Sequence, residues 1–135
     1  MRDETQKLIR DYYAAFNAKD VSGFLALLAE DVVHDINQGG REHGKHAFAA
    51  FLTRMNLCYD EKIVDLAVMS NDDGSRAGAE FIVLGKYLVA DSGLPPAHGQ
   101  SYRLPAGAFF EIRDGRIARI SNYYNLEDWL KQVGS

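Results

Sequence analysis

Between Glu4 and Ala18 the apolar residues Leu8, Ile9, Tyr12, Tyr13 and Phe16 recur at helical spacing and form one stripe, which predicts a first amphipathic helix. Asn17-Ala18-Lys19-Asp20 interrupts it, and the Asp20 carboxylate can accept the free backbone donors of a second helix carrying Phe24, Leu25, Leu27 and Leu28. The stretch Asp31 to Gln38, with Val32, Val33 and Ile36, ends at Gly39-Gly40 and reads as a strand and a turn. After Gly44 the residues Ala47, Phe48, Phe51, Leu52 and Met55 restore a helical stripe through about Leu57.

From Tyr59 the period changes to two, with Lys62, Val64, Leu66 and Val68 on one face and Ile63, Asp65, Ala67 and Met69 on the other. Asn71-Asp72-Asp73-Gly74 predicts a hairpin turn into a long strand from Arg76 to about Val89. Arg113-Asp114-Gly115 predicts a second, joining Tyr102–Ile112 to Arg116–Tyr124. The breaker-rich segment Asp91 to Gln100 between these hairpins is a candidate lid or rim. Asn125 can cap a closing helix with Glu127 and Asp128 in its first turn and Trp129, Leu130 and Val133 turned inward. Helices followed by strands in this order predict an α+β fold, with the helices on one side of a curved antiparallel sheet. Long strands must twist and bend, so helices laid across the concave face leave a conical cavity where chemistry would sit.

The chain of 135 residues, 47% apolar and 25% charged, fits a single domain spanning 1–135. Its net charge of −4, without a basic cluster, argues against nucleic acid as a partner. The longest apolar run, Phe24 to Ala29, falls far short of the roughly 20 residues that span a bilayer, so no membrane partner is expected. The acidic start, Met1-Arg2-Asp3-Glu4-Thr5, lacks the apolar run of a secretion signal, and a cytoplasmic location is expected. Cys58, the single cysteine, is expected to be a small buried hydrophobe. No Gly-rich phosphate loop is present, and no cofactor is expected.

The segment Tyr12-Tyr13-Ala14-Ala15-Phe16-Asn17-Ala18-Lys19-Asp20, then Phe24 to Leu28, then Asp31-Val32-Val33-His34-Asp35 resembles the ketosteroid isomerase branch of the nuclear-transport-factor-2-like superfamily and its SnoaL-type polyketide cyclases. The order of elements matches over essentially the whole chain. The resemblance implies a cone-shaped, cystatin-like α+β domain with a small-molecule ligand in its cavity, and a homodimer formed through the outer sheet face. It also implies that a tyrosine on helix one polarises a substrate carbonyl, that an aspartate moves the proton, and that a protonated aspartic acid supplies a second oxyanion donor. The tyrosine falls on Tyr12. The proton-moving position falls on Asp35 when counted back from Gly44 and on Ile36 when counted from the helical hairpin; in the second case His34 and Ile36 face the cavity. The second donor position falls on Ala108, which has no proton to give, so classical ketosteroid isomerisation is not expected.

Asp35, His34 and Tyr12 are therefore the candidate catalytic residues, a carboxylate or imidazole to take a proton and a phenol to donate to a developing oxyanion. Phe16, Asn37, Gln38, Phe51, Tyr87, Arg103 and Tyr123 are the candidate substrate-binding residues. Asp35 and His34 also read as a strand end bonded to the following turn, and Tyr12 as a core aromatic. On the last strand either Arg119, Ser121 and Tyr123 or Ile120, Asn122 and Tyr124 face inward. Arg103 and Glu80 read either as paired buried charges or as an outward face. His43 and His46, three apart at the start of helix three beside Glu42, complete no metal-site pattern, and no metal is expected. His98 reads as a solvated loop residue that could close over a ligand. The leading expectation is a cofactor-free isomerase or cyclase acting next to a carbonyl; a noncatalytic pocket protein is the alternative, and an epoxide-hydrolase-like enzyme a third.

Overall fold

The computed structural model of the protein describes residues 1–134. Helix α1 (Arg2–Ala18) buries Ile9, Tyr12 and Tyr13 along its apolar stripe and ends at Lys19, which adopts a left-handed conformation with φ 57°. Asp20 caps α2 (Val21–Ala26), its side chain accepting from the Gly23 amide at 3.0 Å. That helix is shorter than its apolar pattern implies. Leu28, expected on it, instead opens β1 (Leu28–Asp35) and is fully buried opposite Ile117, where sheet packing outweighs a further helical turn. The strand also stops earlier than expected, since Ile36 to Gly40 close a turn through Ile36 N to Gly40 O at 3.1 Å.

A short β2 (Arg41–His43), not foreseen, pairs with β1, and α3 (Lys45–Cys58) follows from Gly44. Strands β3 (Tyr59–Ser70), β4 (Arg76–Tyr87), β5 (Gln100–Arg113) and β6 (Arg116–Tyr124) form the meander, and α4 (Leu126–Val133) closes the chain with Asn125 accepting from the Asp128 amide. The six strands run in the order β2-β1-β6-β5-β4-β3. The fold is the expected α+β architecture, with one departure inside the sheet: β1 and β6 are parallel. A parallel neighbour can be reached only through a long crossover, here everything between Asp35 and Arg116.

Strict alternation along β3 would put Ile63 and Val68 on opposite faces, yet both are buried. A bulge between Val64 and Ala67, where Asp65 takes φ 54°, inserts the extra residue that returns Val68 to the core side. The outer edge of β3 is met by helix α1: the Asn17 amide donates to Ile63 O at 3.0 Å and accepts from Ile63 N at 2.8 Å. The core lies between the concave sheet face and the helices, with Tyr12, Phe24, Phe48, Phe81 and Phe110 at its centre. Cys58 is buried at the end of α3. No helix among the described residues is long and apolar enough to cross a membrane.

Candidate functional site

The concave face and helices α1 and α3 enclose a cavity of about 430 Å3, within the range of small-molecule pockets. Its walls are chiefly apolar, formed by Phe16, Phe51, Leu52, Phe81, Val83 and Leu104 among others. Polar groups enter at a few points, and on β1 and β6 the seam between the two strands decides which.

On β1, His34 pairs with Ile120 and Asp35 with Ser121, so neighbouring residues project to opposite faces. His34 is 2% exposed and lines the cavity, its ring stacked on Phe48 at 4.5 Å and edge-on to Phe51 at 4.6 Å. Its Nε2 receives the Asn122 side-chain amide at 3.3 Å, and its Nδ1 faces Glu42 Oε1 at 3.6 Å. Both Nδ1 and that carboxylate oxygen are sealed from solvent without another partner. This arrangement favours the tautomer with the proton on Nδ1 and the lone pair on Nε2. Burial lowers the pKa of His34, and Glu42 and Asp35 oppose that shift more weakly.

Asp35 does not join this group. It lies on the other face of the sheet, gripped by Arg41 Nε at 2.6 Å and Nη2 at 3.1 Å and by the Ser121 hydroxyl at 2.7 Å, with Arg119 3.7 Å away. The Arg41 and Ser121 hydrogen bonds, helped by Arg119, pull its pKa down to about 2. The register in which His34 and Ile36 line the cavity is thus the one adopted, and the count back from Gly44 is corrected. The turn after β1 absorbs the difference.

Tyr12 lines the cavity, its ring against Phe24 and Phe110, and burial alone raises its phenol pKa. Phe16, Phe51, Asn37 and Gln38 also line it. Asn37 accepts from the Tyr124 amide at 3.0 Å, and Gln38 bonds the Tyr124 hydroxyl. On β6 the inward set is Ile120, Asn122 and Tyr124. Tyr123 borders the cavity through its place in the strand, but the residue is 56% exposed and its ring packs on Phe109 on the outer face.

Two further expectations are corrected. Tyr87 is fully buried outside the cavity wall, where its hydroxyl donates to Pro95 O at 2.6 Å and accepts from Asp91 N at 3.0 Å, pinning the 88–99 loop. Arg103 is exposed on the outer face, as its alternation with buried Tyr102 and Leu104 requires, and Glu80 is exposed likewise. His43 lies in β2 and His46 in α3, both exposed, and His98 is exposed in its loop. No group of three or more His, Cys, Asp or Glu among the described residues is placed to hold a metal ion.

Ala108 is fully buried and pairs across the ladder with Asn122, so the nearest donor in that row of the sheet is the amide already touching His34. Sequence reasoning missed three charged cavity groups: Glu61, Asp91 and Arg54. Asp91 accepts from the Tyr59 hydroxyl at 2.9 Å and lies 3.8 Å from Arg54, whose guanidinium sits over Phe51. Glu61 accepts from the Tyr102 hydroxyl at 2.5 Å. Its signal was its alternation with Tyr59 and Ile63; the breaker-rich segment that opens at Asp91 marks a cavity rim but singles out no carboxylate, and nothing local marks Arg54.

Residues 9–120 match the model of the SnoaL-like domain. A candidate polyketide cyclase from Pseudomonas putida KT2440 superposes with a TM-score of 0.95 at 62% identity, over 96% of this chain and 97% of that one. One from Xanthomonas campestris pv. campestris gives 0.94 at 54% identity over 97% of each chain. A third, from Silicibacter sp. TM1040, gives 0.96 at 48% identity, covering 99% of this chain and 98% of that one. No curated protein matches. With the family model spanning most of its length, the chain belongs to the SnoaL-like domain family.

Proposed function

We propose that this protein is an isomerase- or cyclase-like enzyme that transfers a proton next to a carbonyl of a small apolar cyclic substrate, without a cofactor. The observation that carries this reading is His34: an imidazole buried among aromatic rings, with Glu42 at Nδ1 and its basic Nε2 beside a cavity amide. A neutral ring so oriented can take a proton from carbon, while Tyr12 and Asn122 donate to the oxygen where charge develops. The SnoaL-like family and the candidate cyclases support cyclase- or isomerase-type chemistry. Asp35 has no part in it, and we place the homodimer contact on the outer sheet face where Phe109 and Tyr123 are exposed.

The test is solvent deuterium exchange at the carbon next to the carbonyl of 1-tetralone and 2-cyclohexenone, followed by mass spectrometry. Exchange above background that His34→Gln abolishes supports the proposal. Saturable binding of both ketones with no exchange favours the noncatalytic reading, for which the donorless Ala108 is the motive.

A further inference from the structure

Across three neighbouring strands the structure builds a row that the His34 site does not use. Glu61 on β3 pairs with Gly85 on β4, and Gly85 pairs with Tyr102 on β5. The Tyr102 side chain lies over Gly85 and reaches Glu61 two strands away, its hydroxyl 2.5 Å from Oε2. Only a residue without a side chain permits this, because a Cβ on Gly85 would stand 2.3 Å from Tyr102 Cζ and 2.5 Å from its hydroxyl oxygen. Tyr102 is itself 4% exposed and wedged edge-on to Trp129 of α4, so the phenol is a fixed donor. Glu61 lines the same cavity as His34 and is partly buried.

We propose that Glu61, held by Tyr102 across Gly85, is a second catalytic residue: the acid that protonates the substrate oxygen while His34 takes a proton from carbon. This rests on the reading of His34 as the base. The bond between carbon and hydrogen breaks, and its proton goes to Nε2. The freed pair becomes a carbon–carbon π bond, and the carbonyl π pair moves to oxygen, which takes the Glu61 proton. Enol, imidazolium and carboxylate result. Return of the imidazolium proton to a second carbon, and of the enol proton to Glu61, completes an isomerisation without any other reactant. In a conjugated ring system the pair travels through the π bonds, so acid and base work from different parts of the wall.

The electrostatics fit these roles. Burial raises the pKa of Glu61, and Asp60 adds to the rise, while the Tyr102 hydrogen bond and Lys19 oppose it. Lys19 is itself engaged by Asp60 at 3.1 Å. Tyr124 from β6 also lies within electrostatic reach of Glu61, and Tyr59, bonded to Asp91, adjoins Tyr102. His34 is shifted the opposite way. Two titratable groups on one cavity wall, shifted in opposite directions by their surroundings, suit an acid and a base.

The experiment is the 1-tetralone exchange rate from pH 5 to 9 for the unmodified protein and five variants, His34→Gln among them. A required acid makes the rate fall as pH rises through its pKa, and a required base makes it fall as pH drops. Glu61→Gln is expected to lower the rate at least 100-fold and remove the alkaline fall, with 1-tetralone binding changed less than threefold. Glu61→Asp is expected to keep the alkaline fall at reduced rate, which a merely structural carboxylate would not do. Tyr102→Phe removes a bond that lowers the Glu61 pKa, so the fall moves to higher pH; Gly85→Ala, by displacing the same ring, moves it the same way. A Glu61→Gln protein that exchanges within threefold of the parent, or keeps the alkaline fall, overturns the proposal while the His34 reading stands. If His34→Gln also leaves exchange intact, or the parent does not exchange, both fall. Should Glu61→Gln misfold by circular dichroism, the Glu61→Asp and Tyr102→Phe profiles decide, and unshifted limbs in both overturn the proposal.

Discussion

His34 and Asp35 are adjacent in one strand, yet they occupy opposite electrostatic worlds. On the concave face a single imidazole is buried among Phe48, Phe51 and the amide of Asn122, with the Glu42 carboxylate 3.6 Å from its Nδ1. On the outer face a carboxylate lies in a lattice of Arg41, Arg119, Ser121 and, through Arg119, Glu111. The pleat alone separates them. Burial leaves the first group neutral and able to accept a proton at ordinary pH, whereas ion pairing keeps the second ionised and too weak a base to remove one from carbon. A carboxylate is therefore not a base by virtue of its type; its face decides.

Substitution at the buried face should give the largest effect. His34→Ala is expected to cost about 10^3-fold in ketone exchange, within the range of general-base catalysis, with 1-tetralone binding retained by isothermal titration calorimetry. If the exchange survives, the contrast between the faces has no catalytic meaning. Next, Glu42→Gln removes a charge that raises the His34 pKa, so the acidic limb of the pH–rate profile is expected to move to lower pH. The rate should drop about tenfold as the ring loses its orienting partner.

The outer face should answer in stability instead. Asp35 has a folded-state pKa depressed from its ordinary value of 3.8 to about 2, so its stabilisation is present above pH 4 and lost as pH falls toward 2. Asp35→Asn is expected to lower unfolding free energy at pH 7 by roughly 1 to 2 kcal/mol after solvent screening, and by much less at pH 2. Urea titrations at both values check this, with exchange expected within threefold of the parent. The smallest effect is expected at Tyr123→Ser: less than twofold in exchange, because the ring points outward, with any loss of the proposed dimer read by analytical ultracentrifugation.

The fold was legible because its signals are local and redundant. The Tyr12 stripe, the Asp20 and Asn125 caps and the Asp114-Gly115 turn each act within a few residues. The site depended on quantities that local pattern does not carry. Whether Asp35 or His34 faces the cavity turns on a single residue of register, set by the pairing of β1 with a strand more than 80 positions later in the chain. The sequence points Tyr87 and Arg103 to the pocket and the structure does not, for a related reason: residue type marks a side chain as able to bind, but only the pleat and the loop it meets say where it points. Glu61 escaped notice because its partner Tyr102 lies across an intervening strand.

The amide of Asn17 on β3 bears on how this protein survives at high concentration. β3 is the terminal strand of the sheet, and an open strand edge recruits foreign strands through its free backbone groups. At Ile63 both groups are already claimed by one side chain, which imitates two bonds of a missing strand and then offers no continuation. At that point the edge has no free backbone pair, so a foreign strand can pair there only by displacing Asn17.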